Sequence, residues 1–322
     1  MPHRPDPRRF ALGTLAALIF GCSAPQPAQP AGGSGGANVA GSAGTSPGYG
    51  GNGSGGASAG GATANAGSGG SAPSGSAGTG GQSGVGGASG GSGSGCDPSL
   101  AVTNKAAVNA ALDGLFVDKQ VSAIDQYWAD PYLQHNPIAE SGVDAFASIM
   151  SSFVTQPSFS YERLRTLAEC DLAVVQGRYS GTGVIFDMFR LSDGKLVEHW
   201  DSDTNQASEA GGPTEVTNPE QTAQNRAAVL AFLEGANDSV ASGYVDHRSG
   251  YLEDIESGTI SYSEVHHVIA DGNFVFSLSE GELEGSAYGF YDLFRLEGGQ
   301  LVEHWDSRRA VPATTASGLE IF

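Results

Sequence analysis

The stretch Phe186–Ser202, FDMFRLSDGKLVEHWDS, returns at Tyr291–Ser307 as YDLFRLEGGQLVEHWDS. Twelve of the seventeen positions are identical at a spacing of 105 residues, so the chain contains an internal repeat. In each copy, β-branched, aromatic and aliphatic residues flank a short turn, Asp193-Gly194 in the first and Gly298-Gly299 in the second. This pattern predicts a β-hairpin in each half of the chain.

The length of the hairpin loop decides which polar side chains meet. A two-residue loop at Asp193-Gly194 places Asp187 opposite Trp200, whereas a loop one residue longer places Asp187 opposite His199. We favour the longer loop, because it gathers three ionisable groups on a mostly apolar face, where pKa values can be shifted. Alternation along the strands puts the following side chains on that face: Asp187, Phe189, Leu191, Val197, His199 and Asp201.

The chain divides into four parts by composition: residues 1–22, 23–95, 96–208 (repeat 1) and 209–322 (repeat 2). Residues 23–95 contain no Asp, Glu, Lys or Arg and consist almost wholly of small and polar residues. Such a segment buries too little apolar surface to offset its ordering entropy. We expect a flexible linker with a reach of roughly 45 Å.

Negative charge is concentrated in the two repeats. The whole chain has a formal net charge of −20, and after Gly95 there are 34 acidic and 12 basic residues. This balance disfavours nucleic acid and anionic lipid surfaces as partners of the folded part.

The N-terminus reads as an export signal. Arg4, Arg8 and Arg9 precede a short apolar run that ends at Cys22, and this end resembles a bacterial lipobox. The resemblance implies lipidation of Cys22 and a place in the cell envelope, with the outer membrane favoured by the following serine. An ordinary secretory signal with an incidental cysteine is the alternative.

Two cysteines, Cys96 and Cys170, remain after this segment. In an oxidising compartment they can form a disulfide or stay free.

Each repeat begins with helical signals and ends with strands. Asp97-Pro98 and Asn218-Pro219 predict N-caps, and Gly114 and Gly235 predict helix stops. Repeat 1 continues with predicted helices at 121–128 and 143–153 and strands at 159–167, 172–179, 184–191 and 196–201. Repeat 2 retains the strands, at 259–268, 274–280 and 287–296, but has lost most of the helical residues. Helices followed by an antiparallel meander predict an α+β fold.

Three segments of repeat 1, NKAAV at 104–108, YLQHNP at 132–137 and the hairpin at 186–202, resemble the SnoaL-like family of the nuclear-transport-factor-2-like superfamily. The resemblance implies two tandem cone-shaped barrels, each a bent antiparallel sheet around helices and an apolar pocket, with the second copy truncated. It also implies cyclase-type aldol condensation of a small apolar carbonyl substrate, without a metal or organic cofactor. Members of the superfamily form dimers through their sheets, so we expect repeat 1 to pack on repeat 2 within a monomer.

The resemblance also implies where a site would lie. Asp187 or Asp201 would act as the base, and His199, or His135 at the pocket mouth, would donate a hydrogen bond to the enolate oxygen. The residues expected to contact the ligand are Tyr132, Asn136, Phe189 and Trp200.

The same residues have a structural interpretation. Repeat 2 carries the equivalent set Asp292, His304 and Asp306 although its pocket wall is reduced, so the set can serve the fold instead. Two alternatives to an enzyme therefore stay open: a binding module that performs no chemistry, and a surface lipoprotein whose cone is filled. A metal site at His135, His199 and Asp201 is disfavoured, because no close ligand spacing supports it.

Overall fold

The computed structural model describes residues 97–180, 183–203 and 207–322. Repeat 1 contains α1 (Pro98–Leu112), α2 (Ala123–Tyr127), β1 (Trp128–Gln134), α3 (Val143–Phe153), β2 (Tyr161–Glu169), β3 (Leu172–Tyr179), β4 (Ile185–Ser192) and β5 (Lys195–Asp201). Repeat 2 contains α4 (Thr222–Leu233), β6 (Val240–Asp246), α5 (Tyr251–Glu256), β7 (Ile260–Asp271), β8 (Phe274–Leu283), β9 (Ser286–Glu297) and β10 (Gln300–Ala310). Short 3₁₀ turns at Pro219–Gln221 and Asn237–Ser239 flank α4. The predicted α+β class is confirmed.

The helix termini follow local chemistry only in part. Asp97 caps α1 as predicted, because its side chain accepts the backbone N–H of Ser99 at 2.9 Å. The predicted stop at Gly114 is wrong, since the chain continues through a π-helical turn at Asp113–Val117. Asn218 stands at the N-cap position of the 3₁₀ turn that precedes α4, with Pro219 following as predicted, but it has a left-handed φ of 56° and makes no capping hydrogen bond through its side chain.

Each repeat builds one five-stranded sheet, and the two sheets have matching strand orders. The first is β1-β5-β4-β3-β2 and the second is β6-β10-β9-β8-β7. The edge strands β1 and β6 pair in parallel with the last strand of their repeat, and all other pairs are antiparallel. These two edge strands were not predicted from the sequence. They place Gln134 beside His199 and Asp246 beside His304.

The hairpin register differs from the one favoured above. Ser192 pairs with Lys195, so the loop is the two-residue Asp193-Gly194, and both loop residues have positive φ, at 50° and 72°. This is the type I′ geometry that suits a tight hairpin. A β-bulge then leaves Val197 unpaired and brings Asp187 opposite Asp201.

Alternation along β4 and β5 separates two apolar clusters in repeat 1. The inner face, with Phe189 and Leu191, packs on the helices. The outer face, with Phe186, Met188 and Trp200, packs in a cluster that also contains residues of repeat 2, including Phe276 and Trp305. The rings of Phe186 and Phe276 are 5.5 Å apart. Repeat 2 has a separate inner cluster around Val229, Phe232, Tyr251, Phe290 and Phe294.

The helical wall of repeat 2 is reduced, as the sequence predicts. α3 of repeat 1 spans eleven residues, whereas its counterpart α5 spans six.

Cys170 is disulfide-bonded. Cys22, Cys96 and the predicted signal and linker segments lie outside the described residues. Within the described part of the chain, no helix combines the length and the apolar character needed to cross a bilayer.

Candidate functional site

A cavity of about 30 Å³ lies between the inner face of the first sheet and the helices of repeat 1. This volume is enough for about two water molecules. Its wall is mostly apolar, and a small polar group converges at one side. The apolar lining includes Leu112, Phe116, Trp128, Phe146, Ile149, Met150 and Phe189, and the polar lining includes Tyr132, Gln134, Asn136, Glu140, Asp187, His199 and Asp201.

Asp187 and His199 form the centre of the polar group. Asp187 Oδ1 lies 3.2 Å from His199 Nε2, and Oδ2 accepts a hydrogen bond of 2.8 Å from the Tyr179 hydroxyl. The other ring nitrogen, His199 Nδ1, lies 3.0 Å from Gln134 Oε1. Gln134 Oε1 also accepts the backbone N–H of Asn136 at 3.0 Å, which fixes the amide orientation.

These contacts determine where a proton must lie. Gln134 Oε1 can only accept, so His199 Nδ1 carries a hydrogen and donates it. His199 Nε2 faces a carboxyl oxygen of Asp187, and two lone pairs would repel at that distance. One proton is therefore shared between His199 Nε2 and Asp187, and the pair can pass it to a bound molecule.

Asp201 faces the same cavity with a different set of partners. Its Oδ2 accepts a hydrogen bond of 2.7 Å from Asn136 Nδ2, and its Oδ1 lies 3.3 Å from Arg309 Nη2. Burial raises the pKa of Asp201, and the nearby charge of Asp187 adds to this, while Arg309, His199 and Asn136 oppose it. A carboxylate with a raised pKa is a stronger base, which is the property that proton abstraction needs.

Two aromatic rings predicted to contact the ligand do line the cavity. The Phe189 ring stacks on His199 with centroids 4.8 Å apart, and the Tyr132 ring lies 6.4 Å from His199 on a nearly parallel plane. Burial raises the pKa of Tyr132, so its hydroxyl stays protonated and can donate. This hydroxyl makes no hydrogen bond of ordinary geometry to another described residue.

Two predicted site residues lie on the wrong side of the sheet. The Trp200 indole points into the cluster between the sheets, because Trp200 and His199 alternate along β5. His135 stacks on Trp200 with centroids 4.6 Å apart, and its ring nitrogens lie 3.0 Å from Glu198 Oε1 and 2.5 Å from the Glu320 carbonyl oxygen. The predictions that Trp200 contacts the ligand and that His135 lies at the pocket mouth are therefore wrong.

Three residues that contact the site were not predicted from the sequence, namely Gln134, Tyr179 and Arg309. Gln134 was hidden because its segment was not recognised as a strand, and a parallel edge strand has no local signal. Arg309 comes from repeat 2 and follows the repeated motif, where Arg308-Arg309 stands in place of Asp203-Thr204. This difference between the two repeats was the one feature of the sequence that could have pointed to Arg309.

Repeat 2 holds the equivalent polar set with different partners. His304 is fully buried, with Nε2 3.0 Å from Asp292 Oδ1 and Nδ1 3.7 Å from Asp246 Oδ1. Burial alone would lower the pKa of His304, but the two carboxylates outweigh it and raise the pKa to about 9. The Tyr251 ring covers His304, with centroids 3.8 Å apart. The set in repeat 2 is therefore a fixed internal ion cluster.

Among the described residues, Asp187, His199 and Asp201 also offer atoms that lie within 4.8 Å of one another, a separation at which a cation could be held. Their contacts suit proton transfer better than a cation. Asp201 already faces the Arg309 guanidinium, and Asp187 already accepts from Tyr179.

Comparison with known proteins supports the fold of repeat 1. Residues 108–199 match the SnoaL-like domain family. The chain contains a SnoaL-like domain. The match begins inside α1, covers α2, β1, α3 and the strands up to His199 in β5, and does not extend into repeat 2. No curated protein matches the chain.

Several solved structures are similar to parts of the chain. One is an NTF2-like protein of unknown function from Mesorhizobium loti, with 19% identity over 30% of this chain and 88% of that one, at a TM-score of 0.27. Another is a SnoaL-like protein of unknown function from Burkholderia thailandensis, with 14% identity over 33% and 97% of the two chains, at 0.29. A third is an LEH-like epoxide hydrolase from M. tuberculosis, with 15% identity over 32% and 83%, at 0.27.

Proposed function

We propose that the SnoaL-like domain of repeat 1 is an acid–base enzyme acting on a small apolar carbonyl compound, in the manner of an aldol-type cyclase. The observation that supports this is the convergence of Asp187, His199 and Asp201 on an apolar cavity. The equivalent set in repeat 2 is covered by the Tyr251 ring, whereas the set in repeat 1 lines a cavity where a bound molecule can reach it.

The contacts assign a role to each group. Asp201, with its raised pKa, accepts a proton from the carbon next to the substrate carbonyl. The His199–Asp187 pair donates its shared proton toward the oxygen on which the enolate charge develops. The Tyr132 hydroxyl is a second donor at the cavity wall, and the stacked rings of Phe189 and Tyr132 limit access of water.

The size of the cavity limits the substrate. The cavity of about 30 Å³ is smaller than the volume of any carbonyl compound that could undergo an aldol condensation. Substrate binding therefore requires the helical wall to move. Phe146 and Met150 of α3 form this wall, and a methionine side chain repacks easily. A small, flat substrate needs the least displacement of α3.

Four asparagine variants test the proposal against small β-keto compounds. Asp187→Asn and Asp201→Asn should lower turnover by about 10² to 10⁴-fold, the usual range for acid–base groups. Asp292→Asn and Asp306→Asn are the matched changes in repeat 2 and should lower the melting temperature while leaving turnover nearly unchanged. Equal destabilisation in both repeats, with no specific loss of turnover in repeat 1, would rule out the enzyme.

One alternative has support of its own. The cone is nearly filled, which is what a purely structural domain on an interaction lipoprotein would show. Under that alternative, Asp187→Asn and Asp292→Asn lower stability alike, and no small ligand changes the melting temperature.

We further propose that the protein is an exported lipoprotein anchored through Cys22, with the two repeats carried on the linker of residues 23–95. The lipobox-like end at Cys22 supports this. Several acyl chains hold a protein firmly to a bilayer, whereas one holds it weakly. Cys22→Ser should move the protein from the membrane fraction to the soluble fraction, and an unchanged distribution would contradict the anchor.

A further inference from the structure

Arg309 connects the last strand of repeat 2 to the site in repeat 1. The side chain is buried, and its Nη2 lies 3.3 Å from Asp201 Oδ1. The same nitrogen donates to the Ser202 carbonyl oxygen at 2.7 Å, and Nε donates to the Asp201 carbonyl oxygen at 3.1 Å. Three contacts thus hold the guanidinium at the end of β5, where a forked cation can engage carboxylate and backbone together.

The groups around Asp201 come from four parts of the fold. Asn136, in the loop after β1, donates to Oδ2 at 2.7 Å, and His199 lies two positions earlier on β5. Asp187 is the directly paired residue on β4. Arg309 is the cation from β10, and its charge opposes the repulsion that the nearby Asp187 exerts on the buried Asp201.

Among the described residues, no arginine of repeat 1 makes the equivalent contact to Asp306. In repeat 2, the equivalent Asp306 obtains its positive partners from its own repeat, with Arg308 Nε at 2.8 Å and Arg248 Nη1 at 3.3 Å. Ser208, the last residue of repeat 1, donates a neutral hydrogen bond to Asp306 Oδ1 at 2.8 Å. In the sequence of repeat 1, Asp203-Thr204 occupies the place of Arg308-Arg309, so repeat 1 has no arginine there to offer in return.

We propose that Arg309 is a positioning residue that repeat 2 supplies to the site of repeat 1, where it holds Asp201 in place and in its ionised form. Repeat 2 then has a role in the chemistry although its own polar set is covered by Tyr251. The effect on turnover rests on the function proposed above. The effect on the ionisation of Asp201 does not, and it can be measured without a substrate.

The direct test is a titration of Asp201 by ¹³C NMR in the full chain carrying labelled aspartate. The carboxyl signal of Asp201 is identified by its loss in Asp201→Asn. In Arg309→Gln the titration midpoint should rise by about one pH unit or more, since an adjacent arginine typically lowers a carboxyl pKa by at least that much. Arg309→Lys keeps the charge and should show a smaller rise. Arg308→Gln, the neighbouring change that acts on Asp306, should leave the midpoint of Asp201 unchanged.

Two results would overturn the proposal. One is an unchanged midpoint in Arg309→Gln, and the other is an equal rise in Arg309→Gln and Arg308→Gln. If Arg309→Gln does not fold at neutral pH, the double variant with Asp201→Asn should restore folding, because the uncompensated buried carboxylate is then gone. A double variant that also fails to fold would show that Arg309 acts through the backbone contacts alone, which contradicts the proposal.

Turnover separates this inference from the proposed function. If repeat 1 is an enzyme, Arg309→Gln should move the acidic limb of the pH–rate profile upward by the same amount as the NMR midpoint. A shifted midpoint with no activity in any variant would sink the enzyme and leave the role of Arg309 intact. If Arg309→Gln is active and leaves both the pH–rate profile and the NMR midpoint unchanged, the role of Arg309 is overturned and the enzyme proposal stands.

Discussion

The ion cluster around His304 should make the stability of the protein depend on pH in a defined window. The folded pKa of His304 is raised to about 9 from an ordinary value of 6.5. A group whose pKa is raised by folding contributes its full stability below the unfolded pKa and loses it as pH rises through the folded pKa. Stability should therefore be at its plateau below about pH 6.5 and should fall as pH rises toward 9.

The size of this loss follows from the same shift. Each pKa unit corresponds to about 1.4 kcal/mol, so the free energy of unfolding should fall by about 3 kcal/mol across the window. His304 is fully buried, so solvent screening does not reduce the figure. Asp246 takes part in the same interaction. Its pKa is lowered to about 2, so its contribution to stability is lost only as the solution becomes acidic. The shifts of His304 and Asp246 reflect one interaction, so its free energy is counted once.

Urea denaturation at several pH values between 6 and 9.5 measures this loss directly. His304→Gln should lower stability at pH 6.5 and remove the slope. Asp246→Asn keeps the imidazole but removes one carboxylate, which lowers the folded pKa of His304, so the loss should end at a lower pH and be smaller. A flat profile in the wild type between pH 6.5 and 9, or a full slope in His304→Gln, would refute the assignment of a charged His304.

Three further predictions concern packing, protonation and assembly. Met150→Ala should cost about 2–5 kcal/mol in urea denaturation and increase the binding of small apolar ligands, because Met150 is 2% exposed and lines the cavity. Gln134→Glu gives His199 a carboxylate partner like that of His304. The imidazole should then hold the shared proton more tightly, and turnover at neutral pH should fall about tenfold or more. Light scattering on the chain without residues 1–95 should give a monomer, because the outer faces of its two sheets already cover each other, and a stable dimer would contradict this.

The repeat and the fold class could be read from the sequence because they depend on local patterns. The hairpin at 186–202 has alternating apolar residues and a turn of two residues that tolerate positive φ. The grouping of Asp187, His199 and Asp201 also follows from alternation, and the structure brings the three side chains to one cavity. The exact pairing did not follow, since the bulge at Val197 is a property of the assembled sheet.

The remaining parts of the site depend on contacts between distant segments. Gln134 reaches His199 only because β1 pairs in parallel with β5 across 65 residues of chain. Arg309 reaches Asp201 across 108 residues and from the other repeat. His135 was misplaced for the same reason: its position depends on which face of the first sheet meets repeat 2, and no pattern within repeat 1 specifies that.

Joining two copies in one chain removes a constraint that every symmetric dimer obeys. In a twofold dimer of identical chains, any contact from residue i to residue j occurs a second time in reverse, and any substitution changes both sites at once. Here Gln134 and Asp246 hold equivalent strand positions with different charge, and the sequence of repeat 1 has no arginine at the position equivalent to Arg309. The covalent link lets one copy keep its polar set on a cavity while the other copy covers its set with the Tyr251 ring, a difference that two identical subunits cannot reach.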